Sequence, residues 1–315
     1  MADWFSAFQY PSALLSQRIW RVVGTATIAL SLWASPSLAK DPFRTANPHA
    51  IGDKTEAAFR SIFEQGNYKN AASALSQAET GEPLAFALKA LLAYGSLQGE
   101  SDQSKKQAAL DSFKGYANKT RESAEQLLKT DPLRGNLYIA VGNFLEGVYV
   151  VSTEGVIRGT PQALSKLQQA FKNLDEAEKI DAKDPELNLL KGYIDLLLAV
   201  NVSLPLSSPT QAIERLEKYA SPRYLAYRGL ALGYRDLNQP DKALQAINQA
   251  IAAAPKNPEL FYLKAQILVR QGKNQEGIAL FEKALSQKDQ LPSGIVTQIQ
   301  RELTRTQRRV QNVGR

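Results

Sequence analysis

His49 is the single imidazole in this chain, and cysteine is absent. That pair of facts removes disulfides, thiolate metal sites and cysteine nucleophiles, and with them most imidazole-based general bases. A metal at His49 would need several convergent ligands, and its sequence neighbours supply none. The carboxylates Asp175, Glu176 and Glu178 could in principle flank a glycosidic bond. They lie instead on a lysine-rich stretch of helical period and read as a solvated face. Gly142-Asn-Phe-Leu-Glu-Gly147 has the glycine spacing of a phosphate loop, but Val148-Tyr149 stands where lysine and a hydroxyl residue are required. The expectation is a chain with no catalytic residue, no metal and no cofactor, and not an enzyme.

Charge points to association rather than chemistry. The net charge is +7, yet residues 40–294 carry 31 basic and 29 acidic side chains. The excess sits at the end, where five arginines from Ile295 onward face one acid, Glu302. In the same stretch Val296, Ile299, Leu303, Val310 and Val313 recur at helical steps, so 293–315 reads as one basic amphipathic helix. Its apolar stripe suits a cap on the end of a helical array. The alternative is a helix lying on anionic lipid, but the stripe lacks the bulky aromatic residues such helices use. Nucleic acid is not an expected partner, because the body is close to neutral.

A fixed period organises the elements before that helix. Tyr227, Ala231, Tyr234, Ala243, Ile247 and Ala250 recur as Phe261, Ala265, Leu268, Gly277, Phe281 and Ala284, each 34 residues on. Turn residues fall mid-unit, at Asn238-Gln239-Pro240 and Gly272-Lys273-Asn274. The units span 224–257 and 258–291. Alanine or glycine stands where two helices must cross closely, and large apolar residues fill the space between pairs. One pair cannot bury its own stripe, so pairs must stack in series. Asp184-Pro185-Glu186-Leu187 repeats as Asn257-Pro258-Glu259-Leu260, a capping residue followed by proline at the first helical position. Weaker copies run back through 54–184, with Ala71, Leu75 and Ala78 in one second helix and Tyr138, Val141, Gly142 and Leu145 in one first helix. Two stretches break the pattern, 148–159 and 200–208. The long helix after Thr160-Pro161 fits either of two phases, Ala163/Leu167/Ala170 or Ala170/Leu174/Ala177.

This spacing of large and small positions resembles the tetratricopeptide repeat family. The likeness implies an all-α, right-handed solenoid of about six antiparallel helix pairs plus a C-terminal capping helix at 293–315. It covers most of 54–292 and is most specific in the more regular units of 185–292. It also implies a non-catalytic scaffold whose concave groove holds a protein or peptide partner. Carried over position by position, the groove register falls on Leu225, Arg228, Leu232 and Arg235, then Glu259, Tyr262, Gln266 and Val269, with Arg270 beside them. Arginines beside a tyrosine could grip carboxylates on an extended segment. Lysine and asparagine, which the family uses to clamp chaperone C-termini, are replaced by Arg228 and Leu232, so that ligand is not implied. In layout the chain is similar to periplasmic tetratricopeptide proteins of cyanobacteria.

The amino terminus reads as an address. Arg18 and Arg21 precede an apolar run from Val22 to Trp33, and Ser37-Leu38-Ala39 follows Pro36. Basic region, short apolar core and small-x-small site predict a signal peptide over 1–39, cut between Ala39 and Lys40. The run is shorter than the ~20 residues a membrane-spanning helix needs. Export to a bacterial periplasm or comparable lumen is expected, with no stable transmembrane segment after cleavage. Residues 40–53 lack periodicity and read as a disordered leader. A second functional class also fits, an envelope structural factor that touches an anionic membrane surface through the basic helix.

Overall fold

The computed structural model describes residues 41–97, 100–201 and 208–313. The signal segment expected at 1–39, its cleavage site and most of the 200–208 break lie outside these residues. Twelve α-helices run through the described chain: α1 Asp53–Phe63, α2 Tyr68–Leu75, α3 Pro83–Leu97, α4 Gln103–Leu127, α5 Pro132–Ile180 and α6 Pro185–Asn201. They continue as α7 Pro209–Lys218, α8 Arg223–Asp236, α9 Pro240–Ala253, α10 Pro258–Arg270, α11 Asn274–Leu285 and α12 Ser293–Val313. Among the described residues no helix is long and apolar enough to cross a membrane.

The same local device starts many of them. Asp131, Asp184, Ser208 and Asn257 each accept a backbone N–H from the first turn, and proline follows each of them. The cap meets one orphan donor of the helix, and the proline occupies a position whose N–H has no helical partner. The mid-unit turn of the regular pairs needs a left-handed residue, which Asn238 (φ 56°) and Gly272 (φ 79°) supply.

The α5 element is a hairpin rather than one rod. Gly155, at φ 73° and ψ 170°, breaks it, and the arms meet where Glu146 pairs with Lys166 at 2.5 Å. Residues 148–159, expected as an insertion, are helical on both sides of that break and lengthen both arms. In the second arm Ala170, Leu174 and Ala177 are buried while Ala163 and Leu167 are half-buried, so the later of the two phases faces the core. With α5 counted as two arms, the helices form six consecutive pairs capped by α12. This is the all-α tetratricopeptide-type solenoid expected from the sequence.

The 34-residue positions do what their sizes suggest. Ala231, Ala243, Ala250, Ala265 and Ala284 are fully buried, with Ile247, Phe261, Leu268, Gly277 and Phe281 around them and Tyr227 and Tyr234 half-buried at the rim. Gly142 belongs to the same logic. A Cβ there would come within 2.8 Å of the Arg121 backbone nitrogen, so its absence lets α4 and α5 cross.

The array also curls until its ends meet. α12 packs on α11 and also reaches α3. The first pair sits inside the curl, where the Tyr68 hydroxyl of α2 reaches Glu259 of α10 at 2.7 Å. The leader expected to be disordered is packed there too, since Asp41, Pro42, Phe43, Arg44 and Ile51 are all buried. Its order comes from contacts more than a hundred residues away, which no local pattern records.

Candidate partner-binding site

The face assigned to the groove from the repeat register is mostly closed. Arg228 is 1% exposed, and its Nη2 donates to Glu259 at 2.7 Å. Glu259 is buried and also accepts the Tyr68 hydroxyl. Burial pushes its carboxyl up to about 7, against the opposing pull of Arg228 and of those hydrogen bonds. Leu232 is buried beside them. These residues hold the first pair inside the curl and are not open to a partner.

Further along, Arg235 is 2% exposed and grips Asp236 through Nε and Nη2 at 2.8 and 2.7 Å. Its Nη1 donates to the Gln266 side-chain oxygen at 2.8 Å. Gln266 in turn donates to both oxygens of Glu302, at 3.0 and 2.8 Å, and the Tyr262 hydroxyl donates to the same carboxylate at 2.7 Å. A polar chain therefore ties α8 to α10 and α10 to α12. Its last member, Glu302, is the lone acid of the basic helix, and that isolation among arginines is the sequence signal that marks it.

One part of the register remains open. Arg270 is half-exposed, with Nη1 on the Arg235 carbonyl oxygen at 2.6 Å. Beside it a cleft of about 240 Å³ lies between α10, α11 and α12, lined by Val269, Arg270, Phe281, Arg305, Thr306 and Arg309 together with the polar chain. Arg305 and Arg309 are one turn apart on α12, exposed, and without a carboxylate partner among the described residues. Glu302 is already committed to Tyr262 and Gln266. The cleft therefore presents Arg305 and Arg309, with Arg270 already paired to Asp236 at 3.4 Å, beside Val269 and Phe281, an arrangement suited to carboxylates on a partner. The apolar side of α12 is docked, with Ile295 and Ile299 buried on the array.

The remaining sequence candidates have structural partners. His49 pairs with Asp131. Asp175 and Glu178 receive Lys191 at 2.8 and 2.5 Å, and Glu178 also receives Arg215 at 2.6 Å. Burial works against ionised Glu178, but Lys191 and Arg215 outweigh it and hold its carboxyl below the usual range. This cluster joins α5, α6 and α7. No group of three or more histidine or acidic side chains is placed to hold a metal among the described residues.

Stacked helix pairs, crossing at small residues and closed by a polar chain, define a helical-repeat protein of the kind that presents surfaces to other proteins. Residues 228–293 match the tetratricopeptide repeat family model. The match spans the two most regular helix pairs, which are similar to tetratricopeptide repeats, a fold that generally serves as a protein–protein interaction scaffold. Among solved structures, a thermophilic tetratricopeptide repeat protein from Thermus thermophilus aligns at 19% identity, over 76% of this chain and 91% of that one, with a TM-score of 0.28. No curated protein matches the chain.

Proposed function

We propose that this chain is an exported, non-catalytic scaffold of the periplasm or cell envelope that binds an acidic segment of a protein partner in the cleft of Arg270, Arg305 and Arg309. The observation that carries the reading is the pair Arg305 and Arg309, exposed beside a cleft whose one acid is already hydrogen-bonded. Export rests on the sequence alone, through the basic region, apolar run and Ser37-Leu38-Ala39. The membrane-surface alternative is less favoured because Ile299 is buried in the array and Val296 and Leu303 pack against it, so the first half of the stripe that lipid would need is already covered.

The test uses a fluorescently labelled glutamate-rich peptide and anionic vesicles, each titrated against the chain and its Arg305→Glu/Arg309→Glu variant. Salt-sensitive peptide binding that the variant loses, with circular dichroism unchanged, supports the cleft. Equal peptide affinities exclude it, and vesicle binding without peptide binding favours the membrane reading. Amino-terminal sequencing of exported protein should return Lys40, and an intact Met1 or Ala2 would overturn processing at Ala39.

A further inference from the structure

The buried strap 41–52 has the features of a bound ligand more than of a linker. It contains no helix, and it is folded on itself by Asp41, whose carboxylate accepts the backbone N–H groups of Phe43, Arg44 and His49. Three side chains then reach outward. The Phe43 ring meets Phe59 of α1 edge-on, with centroids 4.9 Å apart. Arg44 enters a collar of carboxylates, with Nε on Asp184 at 2.7 Å and Nη1 on Glu186 at 3.0 Å. His49 reaches Asp131 in the same collar.

The collar is built by the repeat array, not by the strap. Asp131 and Asp184 are the capping residues of α5 and α6. In each, Oδ1 accepts the helix N–H while Oδ2 takes the strap. Glu186 lies one residue into α6, is fully buried, and also accepts the Tyr138 hydroxyl. Without Arg44, Asp184 and Glu186 would lose a buried counter-charge that they now share with Asp41 of the strap, leaving only Arg134, 3.9 Å from Glu186, an unfavourable state for buried carboxylates. Any chain segment that brings a guanidinium next to an aromatic ring satisfies the same requirements.

The fit of the resident segment is incomplete. Arg44 Nη2 is buried without a hydrogen-bond partner among the described residues, and so is Arg134 Nε, which lies 3.9 Å from Glu186. A buried donor left unpaired weakens the state that contains it. The strap precedes every described helix, so it can peel away without unthreading any of them.

We infer that the collar of Asp131, Asp184 and Glu186 is a recognition site for an aromatic–arginine segment of protein chain. Residues 41–52 are the occupant the chain supplies to itself, and a partner carrying the same two groups enters by exchange. This site is separate from the Arg305/Arg309 cleft, has the opposite charge preference and does not depend on it.

A labelled peptide of residues 41–52 tests the inference by fluorescence anisotropy. The full chain with Phe43→Ala/Arg44→Ala should bind the peptide saturably. The unaltered chain should bind it at least ~100-fold more weakly, because a tethered strap competes at an effective concentration on the order of millimolar. The peptide with glutamate in place of its arginine should bind neither, and Arg305→Glu/Arg309→Glu should leave the pattern unchanged. A variant that keeps its circular dichroism and melt but does not bind the peptide would overturn the proposal. Hydrogen exchange on the unaltered full chain decides the matter if that variant fails to fold. The Phe43, Arg44 and His49 amides should exchange at least ~10-fold faster than those in the middle of α6 and α8. Equal protection would make the strap part of the cooperative core and reject exchange.

Discussion

Tyr68 and Glu259 are 191 residues apart in sequence and share a 2.7 Å hydrogen bond. The bond joins the first helix pair to the last regular one, so a chain built of nearest-neighbour units also closes across its interior. Nearest-neighbour stacking alone would let each unit melt on its own. Closure couples the ends instead, and Arg228 holds the other oxygen of Glu259 in place.

Tyr68→Phe should therefore lower stability by about 1–2 kcal/mol, the usual cost of removing a hydroxyl from a buried charged acceptor. Tyr219→Phe, at a partly exposed ring, is the control and should change little. Urea unfolding of both variants makes the comparison. Equal midpoints would mean that the interior contact contributes nothing to the fold.

Ala243→Leu should cost about 1–3 kcal/mol, because overpacking a close crossing forces α8 and α9 apart. Ala243 is fully buried, whereas Gln245, two residues on, is exposed. Gln245→Leu should leave the melting temperature nearly unchanged.

The two expectations differ in how they can be read. The Ala243 position follows from a 34-residue period that the sequence displays directly, because each unit folds by contacts within itself and with its neighbours. The face carrying Arg228 is also legible from helical spacing. What covers that face is not, because Tyr68 and Glu302 arrive from opposite ends of the chain. The 41–52 strap is hidden for the same reason. Its non-periodic sequence suggests disorder, and its order comes from Arg44 meeting Asp184 and Glu186 about 140 residues away. Gly155, by contrast, is a local signal. A glycine in the left-handed region splits α5 and turns a stretch that reads as an insertion into two helical arms.

Asp195 gives a pH dependence with a defined sign. It is 5% exposed on α6, and burial pushes its carboxyl up to about 6 from an ordinary 3.8, only partly opposed by Lys191 and Arg215. A carboxyl raised on folding stabilises most below its unfolded value, and that contribution is lost as pH rises through the folded value. The window is therefore about pH 4 to 6. Asp195→Asn should be more stable than the parent at pH 7.5 by about 1–3 kcal/mol, with the difference vanishing near pH 4. Melts across that range check it, and a constant offset at every pH would point to packing instead.

Removing Gly294–Arg315 should lower the melting temperature by at least about 5 °C. Ile295 and Ile299 would no longer cover the last pair, and Tyr262 and Gln266 would lose the Glu302 carboxylate that joins them. Glu302→Ala separates the two contributions, since it removes the polar chain while keeping the apolar stripe. Its melting temperature should fall between those of the parent and the truncated chain.

Arginines of the same array should respond oppositely to charge reversal according to their surroundings. Arg228→Glu would place a second carboxylate beside Glu259 in the interior, with both residues of the present pair at most 3% exposed. Breaking a buried pair this way costs on the order of 3–5 kcal/mol, because the surviving charge has neither water nor partner. The variant should be unfolded or strongly destabilised. Arg305→Glu sits on an exposed turn of α12 with no ion pair to lose among the described residues, and its melt should stay within about 0.5 kcal/mol of the parent. Circular dichroism melts of the two variants distinguish interior from surface directly. A folded, unperturbed Arg228→Glu would mean that the inner face is open to solvent, and would return Arg228 and Arg235 to the set of partner-facing residues.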